Sequence, residues 1–238
     1  LKSKSWTQAI PRLKSILEVC PGHAQSLRGL GIAYLGSGKL EEAKVAYQEA
    51  INQLGSKAQA TDFGSLGGVH ARLKEWPQAR SAYIKAKALA PDDCKILFNL
   101  GLMHMGTQSY RDAVETLERV VERHPYDYRV RQMLAQAYAR LDQADRASEQ
   151  AEESQRLRNL RVRFTDLHME ASTDVGNADL RYQLGETAME LGRPNLAMSW
   201  FAVAVGMDPN HPRAREALQL GAAPRADIHK SDAKPATK

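Results

Sequence analysis

The sequence repeats itself at a fixed period. Leu30-Gly31 returns as Leu66-Gly67, Leu100-Gly101, Leu134-Ala135 and Leu184-Gly185. Twelve residues after each glycine, or after Ala135 in its place, stands an alanine: Ala43, Ala79, Ala113, Ala147 and Ala197. From Gly31 onward the steps are 36, 34, 34 and 50 residues, a period of 34 with one insertion of two residues and one of sixteen. A period of this length marks stacked supersecondary units, none of which buries its apolar face alone. Inside each unit the apolar residues recur at steps of three and four, which is helical spacing. Aromatics make up only 6% of the chain, which also favours helix over sheet. Gly31, Gly67, Gly101 and Gly185 fall where two antiparallel helices must approach closely, and a larger side chain there would overpack, costing about 1–3 kcal/mol. The small residues Ala43, Ala79, Ala113 and Ala197 relieve the same approach from the opposing helix. Pro91, Pro125 and Pro209 end second helices, because proline lacks the N–H and disfavours helix just before it.

This pattern resembles the tetratricopeptide repeat family, whose first helix carries an apolar residue, Leu-Gly and an aromatic, and whose second carries small and aromatic residues before a proline. Residues 24–57 supply Leu27, Leu30, Gly31, Tyr34, Ala43, Tyr47 and Ala50, with Gly55 where proline is usual. Residues 60–93 supply Phe63, Leu66, Gly67, Ala79, Tyr83, Ala86 and Pro91; residues 94–127 supply Leu97, Leu100, Gly101, Ala113, Leu117 and Pro125. Residues 128–161 match more weakly, through Leu134, Ala135, Tyr138 and Ala147; residues 178–211 supply Leu184, Gly185, Ala197, Phe201, Ala204 and Pro209. Residues 1–23 read as the second helix of a truncated repeat, with Ala9, Leu13, Ile16 and Pro21, as though cut from a longer chain. The fold this implies is all-α, a right-handed superhelical α-solenoid of helix-turn-helix repeats.

The domain plan follows. Residues 24–161 hold four repeats, the last with an extended second helix. Residues 144–172 contain neither proline nor glycine. Their apolar or small stripe, from Ala147 through Leu157 and Phe164 to Ala171, predicts helix over most of 144–170 and a break near Gly176. The insertion at 162–177 is a spacer before the fifth repeat, which with a capping helix occupies 178–221. Should it break the stacking, the groove is continuous only to about residue 141. Residues 222–238 are nearly devoid of apolar side chains and are expected to be mobile.

Several chemistries are excluded by their missing residues. The run "LGSGKL" at residues 35–40 suggests a phosphate-binding loop, but Leu40 stands where a hydroxyl is required and Ala33 where the first glycine is required. It reads instead as a turn between helices, with Gly36 and Gly38 terminating the first. Cys20 and Cys94 form no metal or redox motif and read as unpaired thiols. His23, His124 and His211 fall near repeat ends and read as solvated loop residues. His70 and His104 share a repeat position with Tyr34 and Tyr138 and, lacking a carboxylate or cysteine pattern, read as aromatic-sized filler rather than a metal pair. No nucleophile has an evident base partner, so no catalytic constellation, cofactor or metal is expected. The longest apolar run, Met198 to Met207, is too short to span a bilayer. The net charge of +5 collects at the ends, +3 over residues 1–23 and +2 over 222–238. No face-forming Lys/Arg block is present, so nucleic acid is not an expected partner.

The concave wall of such a solenoid is lined by the first helix of each repeat. The side chains on that stripe predict a peptide-binding groove of Arg28, Ile32, Gly64, Gly68, Lys95, Phe98, Asn99, Leu102, Arg129, Gln132 and Gln136. It is basic on one rim and apolar in the middle, with Asp179, Tyr182, Glu186 and Met189 as an acidic far end. Gly64 and Gly68 read either as a locally soft helix or as a flat floor flanked by Ile32, Phe98 and Leu102. Some family members grip a C-terminal carboxylate with Lys, Asn and Arg from three successive repeats; here only Asn99 and Arg129 resemble that set. The expected function is a non-enzymatic scaffold that binds a peptide or helix of a partner protein. The alternative is a regulatory or positioning region of a larger enzyme or assembly. Compartment, cytoplasmic or exported, and oligomeric state are decided by no residue.

Overall fold

The computed structural model describes residues 2–222, with side chains over 6–221. Among the described residues it is all-α, without strands: α1 (Lys2–Val19), α2 (Ala24–Gly36), α3 (Leu40–Leu54), α4 (Ala60–Arg72), α5 (Trp76–Leu89), α6 (Cys94–Gly106), α7 (Tyr110–Arg123), α8 (Tyr128–Arg140), α9 (Ala144–Thr173), α10 (Ala178–Glu190), α11 (Pro194–Met207) and α12 (Pro212–Ala222). A 3₁₀ turn at Gly55–Lys57 takes up the two-residue insertion after α3. The chain falls into two compact units, one through Glu152 and one from Glu153. Residues 222–238, expected to be mobile, lie outside the described residues except for Ala222 at the end of α12.

Each repeat glycine is a seat for one side chain of the paired helix. A Cβ at Gly31 would stand 2.8 Å from the Tyr47 ring, at Gly67 2.9 Å from Tyr83 and at Gly101 2.6 Å from Leu117, and at Gly185 it would overlap Phe201. The residue against the glycine is therefore the large one four positions past the conserved-register alanine. Ala43, Ala79, Ala113 and Ala197 are fully buried beside it.

The "LGSGKL" glycines divide their labour. Gly38, at φ +80°, is the left-handed residue of the α2–α3 turn, and Lys74, Gln108, Asp142 and Gly192 hold the same sign of φ at the equivalent turns. Gly36 does not terminate α2 through its backbone; it is the seat of Trp6, as Gly106, two repeats on, is the seat of Trp76. A tryptophan early in one second helix thus covers the end of the next first helix, which a side chain at the glycine would prevent.

In the first unit, α1 packs through Ile10, Leu13 and Leu17 onto the core of Leu30, Tyr34, Tyr47 and Leu66. Ile16, read from the repeat pattern as a core position, is 45% exposed. Pro11 lies inside α1, and the helix continues through it. A second core joins Leu97, Leu117, Val130, Leu134 and Tyr138, with Ala147 of α9 packed against it. In the second unit, Phe164, Leu167 and Ala171 of α9 pack with Leu184 of α10 and Trp200 of α11. Tyr182, Ala197, Phe201 and Ala214 form the core that α12 closes. α9 is one unbroken helix of 30 residues, followed by a turn at Val175 and Gly176.

Candidate functional site

The first helices α2, α4, α6 and α8 all belong to the first unit, and the repeat register arranges the expected groove residues in rungs. One rung is Thr61, Lys95 and Arg129; the next Arg28, Gly64, Phe98 and Gln132; the next Ile32, Gly68, Leu102 and Gln136. Side chains one rung apart lie one helical turn apart. On the last rung Ile32 is 49% exposed and Leu102 38% exposed. Gly68 between them is half-buried, with the Tyr83 hydroxyl 3.5 Å from where its Cβ would stand. Phe98, Asn99 and Gln132 are half-buried, and Lys95, Arg129 and Gln136 are exposed.

Two of the expected residues do other work. Arg28 donates from Nε to Asp62 Oδ1 at 2.6 Å and from a terminal nitrogen to Oδ2 at 2.5 Å. Asp62 is 4% exposed and also accepts from the Gln59 backbone N–H at 2.7 Å, closing a capping box at the start of α4. Arg28 is thus a strut between repeats, its pKa raised first by the hydrogen bond to Asp62. Gly64 is buried beside Ile96 of α6, which would lie 3.5 Å from a Cβ there, an ordinary contact. Sequence spacing put both residues on one stripe with the other expected groove residues but could not show what the neighbouring repeat sets against them.

Arg129 pairs with Asp127, the residue that caps α8, at 2.6 Å. Its guanidinium also lies 5.9 Å from the centre of the Phe98 ring. Asn99 and Arg129, the two residues that resembled a carboxylate grip, therefore differ in availability, because Arg129 already serves a carboxylate of its own chain.

The acidic far end belongs to the second unit, and its residues are largely occupied there. Tyr182 is buried, its ring 5.6 Å from Phe201 and 5.2 Å from His211. Asp179 accepts from Arg213 at 3.0 Å and lies 3.2 Å from His211 Nε2. His211 is 4% exposed, and its Nδ1 accepts from the Ala214 N–H at 3.2 Å. The reading of His211 as solvated is overturned: α12 buries it as part of its own N-terminal turn. His23 and His124 are exposed.

The shared tyrosine/histidine position is filler with a polar tip, and at His70, His104 and Tyr138 that tip faces a carboxylate that the sequence did not reveal. His70 Nδ1 is 2.5 Å from Glu75 Oε2, and Lys44 donates to Glu75 Oε1 at 2.8 Å. These contacts, Lys44 first, hold the Glu75 carboxyl below its ordinary range. His104 is 9% exposed, 3.8 Å from Asp112, and burial pushes its pKa down. The Tyr138 hydroxyl donates to Glu118, and burial, then that contact, push it up to about 12. Among the described residues no group of three or more His, Cys, Asp or Glu side chains converges as a metal site would require. Cys20 and Cys94 are unpaired. Among the described residues no helix is long and apolar enough to cross a membrane.

Three tetratricopeptide repeat models match the chain, over residues 1–62, 104–156 and 178–211, together more than half of it. A curated relative, BBSome complex member BBS4 of Bos taurus, is 28% identical over 182 residues, 63% of this chain and 35% of that protein. The chain thus spans about a third of the relative's length. Among solved structures, MamA superposes with a TM-score of 0.62 at 21% identity, over 66% of this chain and 91% of that one. YrrB, titled a protein with an unusual peptide-binding site, has a TM-score of 0.53 at 20% identity over 87% and 97%. The hetero-tetramer Cut9-Hcn1 of the APC/C matches with a TM-score of 0.53 at 16% identity over 92% and 40%. These likenesses fix the fold, and with the co-registered glycine seats and left-handed turns they establish that the chain belongs to the tetratricopeptide repeat family of protein-interaction scaffolds.

Proposed function

We propose that the first unit binds an extended peptide or a helix of a partner protein along α2, α4, α6 and α8, without catalysis. The observation that carries this reading is the pair Ile32 and Leu102. Both are large apolar side chains left open at one repeat position, with the half-buried Gly68 at the same position between them. A few well-packed anchors carry most of the energy of an interface, and the contacts around them exclude water. Phe98 and Asn99 extend the surface one rung away, and Lys95 is exposed at its rim beside the Arg129–Asp127 pair. Arg28 and Gly64 support the wall from beneath. The names of the similar proteins, one a BBSome complex member and another an APC/C hetero-tetramer, favour a partner that is a subunit of a multi-protein assembly.

The test is to select displayed peptides against the chain and map a bound one by hydrogen exchange. Protection is expected on α2, α4, α6 and α8, with binding lost in the Ile32→Lys/Leu102→Lys double variant. Protection confined to α3, α5 and α7, with full affinity in the double variant, overturns the reading.

A further inference from the structure

The second unit carries a cleft of its own. It holds about 760 Å³ and opens between α10, the first half of α11 and α12. That volume lies within the range of pockets that bind ligands. Its apolar wall is made by Met189, Met198, Phe201 and Leu220. Met189 is 41% exposed and Leu220 71% exposed. Thioether side chains adjust their shape to what is placed against them, so two methionines make this wall adaptable.

The polar part of the lining includes Glu186 and Glu190, one turn apart on α10, and among the described residues no lysine or arginine lines it. The arginines nearby are held by other acids. Arg156 bonds Glu153 at 2.7 and 2.8 Å and reaches Glu190 only at 3.9 Å. Arg213 is held by Asp179 at 3.0 Å. Glu186 accepts from the Tyr182 hydroxyl at 2.7 Å, a neutral donor, and Arg213 lies over the same tyrosine ring at 4.7 Å. Two carboxylates beside an apolar wall suit a ligand whose cation sits at the end of, or next to, an apolar stem.

We propose that this cleft binds a segment of a partner protein in which a lysine or arginine adjoins a long apolar side chain. The apolar side chain packs against Met189, Met198 and Leu220. The cation meets Glu186 and Glu190, where charge-assisted hydrogen bonds are stronger than neutral ones. Charge complementarity selects this partner over an acidic one, because a like charge in the cleft is repelled. The first unit offers the exposed Lys95 at its surface rather than carboxylates, so the two units take different segments.

The experiment selects short random peptides against the full chain carrying Ile32→Lys and Leu102→Lys, which blinds the first unit. The expected enriched peptides pair Lys or Arg with Leu, Met or Phe. Binding of one synthetic example is expected to weaken about tenfold or more in Glu186→Gln/Glu190→Gln, a change of charge with little change of shape. It should also weaken as salt rises. Circular dichroism and the melting temperature of the double glutamine variant establish that it folds. Enrichment of acidic or uncharged peptides, no enrichment at all, or undiminished affinity in the glutamine variant overturns the proposal. So does binding that develops only after residues 223–238 are removed, since the chain's own Arg225, Ile228 and Lys230 would then be the occupants.

Discussion

Single residues in this chain take their meaning from the register, and the glycines show it most directly. Gly101→Ala places a Cβ 2.6 Å from Leu117 Cδ2 and 2.7 Å from its Cγ. We expect it to destabilise the protein by about 1–3 kcal/mol, the usual cost of overpacking. Gly68→Ala meets only the Tyr83 hydroxyl at 3.5 Å, an ordinary contact. It should stabilise by up to about 1 kcal/mol, because alanine loses less freedom in a helix than glycine. Urea unfolding midpoints of the two variants must move in opposite directions; movement in the same direction would refute the seat assignment. His104 gives a second residue-scale prediction. Burial lowers its folded pKa against the pull of Asp112 and Glu115 and with the push of Arg80 and Lys87. The unfolded chain therefore takes up the proton first as pH falls. Stability from this group is full above the ordinary imidazole range, about 6.5, and is lost as pH drops through and below it. His104→Tyr, the residue at the equivalent positions 34 and 138, should flatten the fall in unfolding free energy between about pH 7 and 5. An unchanged slope would show that the buried imidazole is not its source.

At the scale of elements, periodicity made the helices legible and hid their neighbours. The Leu-Gly spacing located every helix pair, and the absence of proline and glycine over 144–172 located the long α9. Residues three and four apart share a face, so each helix's stripes could be listed from sequence. What a stripe cannot show is the side chain that the adjacent repeat lays on it. Ile96 covers Gly64, Asp62 engages Arg28, and His211 packs on Tyr182, each from an element outside the pattern being read. One arginine pair separates these roles by experiment. Arg28 is 18% exposed at its side chain and bound to a carboxylate that is 5% exposed; Arg129 is 63% exposed. Arg28→Met leaves the buried Asp62 carboxylate short of its partner, which costs about 1–3 kcal/mol. Arg129→Met should stay within about 0.5 kcal/mol, as surface changes usually do. Equal unfolding midpoints for the two variants would mean that the 34-residue link from Arg28 to Asp62 adds no stability to the junction of α2 and α4.

The whole molecule is a chain of short-range contacts, so its response to damage should be regional. In repeat proteins stability is approximately a sum over units and their nearest interfaces. Here the two units have separate cores: Tyr34, Tyr47 and Leu66, then Leu97, Leu117 and Leu134 in the first, and Leu184, Phe201 and their neighbours in the second. Leu184 is fully buried against Leu167 and Ala171. Leu184→Ala removes that packing and leaves a cavity, a change that costs about 2–5 kcal/mol in protein cores. If the cores are energetically distinct, the loss falls on opening of the second unit. Native-state hydrogen exchange should then show faster exchange across α10, α11 and the C-terminal half of α9, while amides in α3 to α7 keep their protection. Leu117→Ala, which empties the seat beside Gly101, should give the converse map. The variants also serve the binding questions: a peptide held by α2 to α8 should tolerate Leu184→Ala and fail with Leu117→Ala. Uniform acceleration along the whole chain in both variants would mean a single cooperative block, and the separate assignment of binding surfaces to the two units would then lose its thermodynamic basis.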